Sequence, residues 1–218
     1  MKSLIIGQGE IGSSLHQVIG GDITDNSNSN FSEYDLINIC FPYSDSFETE
    51  VKKYQDRHKA KFTVIHSTVP VGTSSKLNAV HSPCLGIHPH LAESFKTFTK
   101  FLGGKNASFV ADFFRRKGIK VYITDKSETT ELMKIMDTTQ YGIEIEFTKE
   151  LKRLCNEFNV PFELWSTYVN NYNQGYEKLG YPEYKKYNLV PIKGKIQGHC
   201  VMQNAELIDS KFAKLLLS

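Results

Sequence analysis

Three glycines near the start of the chain, Gly7, Gly9 and Gly12 in MKSLIIGQGEIG, have the spacing of a backbone turn built to hold a diphosphate. Gly7 permits a tight turn, Gly9 presents no side chain to hold a pyrophosphate away, and Gly12 lets a helix close onto a strand. Gln8, Glu10 and Ile11 complete the turn. The free N–H groups of the helix that starts there then face the phosphates. Asp25 follows at about the ~20-residue offset where a ribose-binding acid is expected. A carboxylate there accepts hydrogen bonds from both ribose hydroxyls and repels a 2′-phosphate, which favours NAD and leaves NADP open. The alternative reading of Asp25 is a turn aspartate beside the polar run at 26–30. His88-Pro89-His90 offers two imidazoles, but no third ligand stands at a suitable spacing, so no metal is expected and a loop at the cleft mouth is the preferred reading.

These residues need elements to hold them. Leu4-Ile5-Ile6 reads as a strand buried on both faces, and Ile11, Leu15 and Val18 recur at helical spacing behind it. Gly20-Gly21 ends that helix, and residues 22–25 form a short second strand. The polar run at 26–30 is too short for the crossover helix found in many such domains. Residues 34–41 form the next strand, stopped by Pro42, and strand C-termini line the ligand crevice in open α/β sheets. Phe41 and Pro42 are therefore expected against the adenosine. A charged helix follows over 46–59, with Phe47, Val51 and Tyr54 on one face. Residues 62–66 form another strand, with Ser67 and Thr68 at its C-terminal end. Residues 80–104 are less regular, with a strand expected at 85–88. A helix over 108–117, capped by Gly118, leads to a last strand at 119–123.

Beyond about Asp125 the period changes. From Ser127, Leu132, Ile135, Thr139, Ile143, Phe147, Leu151, Leu154 and Phe158 recur at three and four, which predicts one helix of about nine turns. Such a spine suits a junction between two domains or two subunits. Pro161 stops it. Residues 162–180 read as helix, 181–195 as irregular loop, and 205–217 as a final helix. The expected architecture is a Rossmann-like, doubly wound parallel sheet over residues 1–125, followed by a smaller all-helical substrate and dimerisation domain over 126–218.

Composition narrows the function. Lys+Arg 26 against Asp+Glu 24 is nearly balanced, so no nucleic-acid partner is expected. No stretch approaches the ~20 apolar residues of a membrane span. Cys40, Cys84, Cys155 and Cys200 form no CxxC pair and no zinc spacing, which points to a reducing, cytoplasmic setting.

Several separate pieces then match one family in order: GQGEIG, ICFP, HSTVPVGT, the TELMK opening of the long helix, and KIQGHCVMQN. Together they resemble the UDP-glucose/GDP-mannose dehydrogenase family, whose members oxidise a sugar C6 alcohol twice with two NAD. The resemblance implies that Cys200 is the nucleophile, Lys134 the catalytic lysine and Thr68 the threonine near the reacting centre. Such a lysine stabilises a developing alkoxide, and such a thiolate captures an aldehyde and leaves a thioester. The chain departs from the pattern at two of the family's site positions. Thr138 stands where the family has Asn, and Asn204 stands where it has a water-activating Asp. The family's third domain, which holds the nucleotide of the sugar, is expected to be absent, so the implied substrate is a small molecule, sugar-like or a hydroxy acid.

A second resemblance, GIHPHLAESFKTF followed by a glycine pair, is to prephenate-dehydrogenase-like proteins, and it implies that His88 and His90 face substrate. A third reading is a shortened dehydrogenase that binds a dinucleotide without turnover. The leading expectation is an NAD-dependent dehydrogenase, homodimeric through the long helix.

Overall fold

The computed structural model describes residues 1–25, 32–196 and 199–218. The polar run at 26–30, and with it the expected loss of a crossover helix, lies outside them.

The chain runs β1 (Ser3–Ile6), α1 (Glu10–Ile19), β2 (Asp22–Thr24), β3 (Leu36–Ile39), α2 (Phe47–His58), β4 (Phe62–Ile65), α3 (Thr73–Lys76), β5 (Val80–His81), α4 (Leu91–Thr97), β6 (Lys100–Gly103), α5 (Ala107–Arg115) and β7 (Val121–Thr124). The helices α6 (Ser127–Glu157), α7 (Glu163–Leu179), α8 (His199–Ala205) and α9 (Lys211–Leu217) follow. Two compact units divide between Ile135 and Met136, inside α6.

In the first unit the strands form one sheet in the order β2-β1-β3-β4-β5-β6-β7. All four residues of β1 and of β3 are buried, as apolar strands covered on both faces must be. Alternation splits them between two cores. Ile5 joins Leu15, Val64, Leu102, Val110 and Phe114 on one face, while Leu4 and Ile6 join Ile39, Phe47, Val51 and Tyr54 on the other. The chain leaves β1 for one edge and returns through β3 on the other side, so a crevice opens beyond the C-terminal ends of those two strands.

The expected sheet is present and mostly parallel; within it β5 pairs with β6 antiparallel, through His81 and Gly103. Residues 82–99 bring the chain back to the end of the sheet at which β5 finished, so β6 runs in the opposite direction. Two expectations are corrected. Residues 85–88 form no strand, because Gly86 lies at φ 137° and Ile87 is exposed, which makes the run a turn. The final helix is two helices, because Ser210 Oγ accepts the Ala213 amide at 3.1 Å and starts α9 anew.

In the second unit Val201, Ala205, Ala213 and Leu216 form a small core. Gly142 makes room for it, since a Cβ there would stand 2.6 Å from Val201 and 2.8 Å from Leu216.

Candidate functional site

The glycine turn follows β1 directly. Gly7 is at φ 113°, and its amide donates to the Thr24 carbonyl at 2.9 Å. A Cβ on Gly7 would lie 2.9 Å from the Cys40 carbonyl carbon, and one on Gly12 only 1.8 Å from the Gly7 oxygen. Gly9 has nothing within 4 Å of its Cβ position. The first and third glycines therefore let strand, turn and helix close together, while the second opens onto free space at the start of α1. This is the arrangement that a dinucleotide diphosphate requires. Gln8, Gly9 and Glu10 are exposed and Ile11 is half-buried. Asp25, just past β2, accepts the Gln8 amide with one carboxylate oxygen. Glu10, the first residue of α1, pairs with His88 Nδ1, which brings the His88-Pro89-His90 turn onto the glycine turn. Among the described residues no cluster of three or more metal-ligating side chains exists.

A cavity of about 260 Å³ lies beside this turn, bordered by Gly7, Asp25, Phe41, Pro42, Glu50 and Tyr54. A larger one, of about 430 Å³, includes no residue of the turn, and its lysines, Lys105 and Lys126, are balanced by Asp125 and Glu128.

The segment after β4 is held from two sides. Ser67 Oγ donates to the Phe41 carbonyl at 2.5 Å, which ties the two loops beyond β3 and β4 together. His81 Nε2 donates to the Ser67 carbonyl at 3.2 Å, and its Nδ1 lies 2.8 Å from Thr130 Oγ1. A carbonyl can only accept, so the Nε2–H tautomer is set and Nδ1 accepts from the threonine hydroxyl. Burial first, then Lys100 and Lys134, push His81 down to about 3, against the pull of its Ser67 bond. Glu131, buried in the first turns of α6, accepts the amides of Gly72 at 2.6 Å and Ser74 at 2.8 Å. Thr68 and Lys134 are both half-buried. The turn carrying Thr68 and the helix carrying Lys134 are thus joined through Ser67–His81–Thr130 and through Glu131.

The sequence reading missed this buried layer. It missed a second polar cluster as well. Asn38 Nδ2 donates to Ser3 Oγ at 2.9 Å, and His66 Nε2 lies 3.0 Å from Asn38 Oδ1. His66 Nδ1 lies 3.1 Å from both the Ser82 carbonyl oxygen and Lys100 Nζ. Lys100 is 4% exposed and packs over the rings of Phe95 and Phe114. Burial lowers its pKa and lowers that of His66 well below the usual value, while it raises the Cys40 and Cys84 thiols. A polar residue inside an apolar strand, Asn38 in LINI, was the available signal.

In the second unit Cys200 is exposed on α8. Asn204, one turn further along α8, donates through Nδ2 to Thr138 Oγ1 at 3.2 Å, and both residues are buried. The two positions that depart from the family pattern therefore bond to each other.

The fold is that of the dehydrogenases that join a dinucleotide-binding sheet to a helical region. A UDP-D-ManNAc dehydrogenase from Pyrococcus horikoshii superposes with a TM-score of 0.79 at 15% identity, over 99% of this chain and 67% of that one. A 3-hydroxyisobutyrate dehydrogenase from Mycobacterium tuberculosis gives 0.68 at 10% identity, over 99% and 91%. At such identities the likeness is one of fold. Sequence narrows it further: the chain is 26% identical over 139 residues to a UDP-N-acetyl-D-mannosamine dehydrogenase from Methanococcus vannielii, a match taking in 58% of this chain and 29% of that protein. The match thus spans less than a third of that curated relative. No family model matches the chain. The sequence match and the Pyrococcus horikoshii superposition are both to UDP-ManNAc dehydrogenases.

Proposed function

We propose that the chain binds NAD and oxidises an alcohol, sugar-like or a hydroxy acid, by hydride transfer. The observation that carries this is the glycine turn, which has no room for a Cβ at Gly7 or Gly12 and open space at Gly9. The nicotinamide, when bound, supplies the hydride acceptor. The amides from Gln8 to Gly12 hold the diphosphate, and Asp25 accepts from the ribose hydroxyls with its remaining oxygen. Phe41 and Pro42 border the adenosine. Ser67 and Thr68 border the reacting end. The Lys134 ammonium stabilises negative charge as it develops on the substrate oxygen. Cys200 is the candidate nucleophile. Asn204 on the same helix is an amide, which cannot act as a general base for hydrolysing a thioester.

We place the protein in the cytoplasm as a homodimer formed through α6, where Tyr141 and Phe147 are exposed. No helix among the described residues is long and apolar enough to cross a membrane. Light scattering that returns a monomer rejects the dimer.

Titration with NADH, followed by fluorescence, tests the binding half, and no binding at millimolar cofactor refutes it. Lys134→Ala tests the chemistry. Turnover should fall by about 100-fold for loss of a charge-stabilising group, and unchanged turnover removes Lys134 from the mechanism. Two specific observations favour other readings. The bonded Thr138–Asn204 pair favours binding without turnover, which NADH production with any alcohol in a panel would reject. The His88–Glu10 pair favours a prephenate-dehydrogenase-like substrate held by His88, which undiminished activity in His88→Ala would reject.

A further inference from the structure

We infer that Glu50 is a second specificity-determining carboxylate of the nucleotide site, acting with Asp25 to exclude a 2′-phosphate. The inference rests on the dinucleotide reading above and names the nucleotide class that the site accepts: an ADP-ribosyl group with a free 2′-hydroxyl.

Glu50 and Asp25 come from different elements, the first from α2 and the second from the end of β2, yet they border one cavity with Gly7, Phe41 and Tyr54. Ser46 Oγ donates to Glu50 Oε1 at 2.7 Å, with Ser44 Oγ 3.2 Å from Ser46 Oγ, so hydroxyls hold one oxygen of a carboxylate that borders the cavity. Both acids act on the same group: burial first, then Glu50, then Asp25 raise the Tyr54 phenol, against Arg57 one turn away on α2. Among the described residues no lysine or arginine borders the cavity. A 2′-phosphate placed there meets two negative charges and no cation among the described residues of the cavity wall. Asp25 already gives one oxygen to the Gln8 amide, so part of its charge is satisfied. Glu50, whose bond to Ser46 is to a neutral hydroxyl, adds a charge that the ligand meets.

Calorimetric titration of the full chain with ADP-ribose and with 2′-phospho-ADP-ribose tests this without any catalytic step. At low salt the wild type should prefer ADP-ribose by about 100-fold, and the preference should shrink as added salt screens the two carboxylates. Glu50→Gln, with folding checked by circular dichroism, should narrow the preference by about 5- to 10-fold. An unchanged ratio in Glu50→Gln, or a preference indifferent to salt, overturns the role of Glu50 while leaving the dinucleotide reading intact. A wild type that binds neither ligand overturns the dinucleotide reading, and this inference with it.

Discussion

Glu131 accepts the backbone amide of Gly72 at 2.6 Å from a fully buried position on α6. Its other oxygen takes the Ser74 amide at 2.8 Å. One carboxylate therefore satisfies two donors at the start of α3, which has no side-chain cap of its own. Gly72 is at φ 95°, so the turn depends on this anchor for its geometry as well as its hydrogen bonds. Glu131→Ala leaves the half-buried Gly72 amide and the buried Ser74 amide without this acceptor and should cost about 3 kcal/mol of stability. Urea denaturation measures it. Glu131→Gln retains one acceptor and should lose less. Equal losses in the two variants would assign the cost to packing rather than to the amides.

Gly12→Ala places a methyl group 1.8 Å from the Gly7 oxygen, which is backbone and cannot rotate away. Either α1 or the turn must shift. The expected cost is about 1–3 kcal/mol of stability, together with loss of NADH binding. Gly9→Ala meets nothing within 4 Å, so its fold should be as stable as the wild type while its binding falls. A fluorescence titration beside a thermal melt separates the two effects.

Acid should weaken the first unit in a particular window. His81 is held neutral, its pKa pushed down to about 3 by burial, whereas an unfolded histidine titrates near 6.5. As the pH falls, the unfolded chain takes the proton first. Stability is therefore full above about 6.5 and is lost progressively toward 3. His66 is lowered for the same reason and adds to the slope. The total loss should reach several kcal/mol, on the order of 5 for His81 alone once the pH reaches about 3. Denaturation at pH 7, 5 and 4 reads it, and His81→Gln should flatten the curve. A curve parallel to that of the wild type would show that His81 does not carry the effect.

Much of this was legible in the sequence, for a local reason. The stretch from β1 through the glycine turn into α1 is specified by neighbours: an apolar run, three glycines and a helical period. The long α6 is announced the same way. What was not legible depends on residues far apart in the chain. β5 has two residues, too few for any period, and its antiparallel partner lies some twenty residues on. Lys100 falls in a stretch with no regular period, and only the fold shows it on a strand, enclosed by His66, Phe95 and Phe114. Glu131 and Thr130 read as first-turn helix residues. Their partners, Gly72, Ser74 and His81, stand about fifty to sixty residues away. The break at Ser210 was a missed local signal, since a serine before an apolar helix is a cap.

The Thr138–Asn204 bond makes a last prediction about charge in the second unit. Asn204 is 8% exposed, and its amide nitrogen is the donor to Thr138. Asn204→Asp turns that donor into an acceptor and buries a negative charge with the Thr138 hydroxyl as its available donor in this pair. Burial raises the pKa of such an acid, so the folded state holds the proton more tightly than the unfolded chain does. Stability is then near normal at low pH and is lost as pH rises through the raised value. The variant should be about 2 kcal/mol less stable than the wild type at pH 7, with most of the difference gone at pH 4. Thr138→Val should cost about 1 kcal/mol with no such pH dependence, because it removes a hydrogen-bond partner without adding a charge. Urea denaturation of both variants at the two pH values decides the matter. An Asn204→Asp protein as stable as the wild type at pH 7 would mean that water or a cation reaches this position, and a carboxylate there would then be free to act as a base beside Cys200.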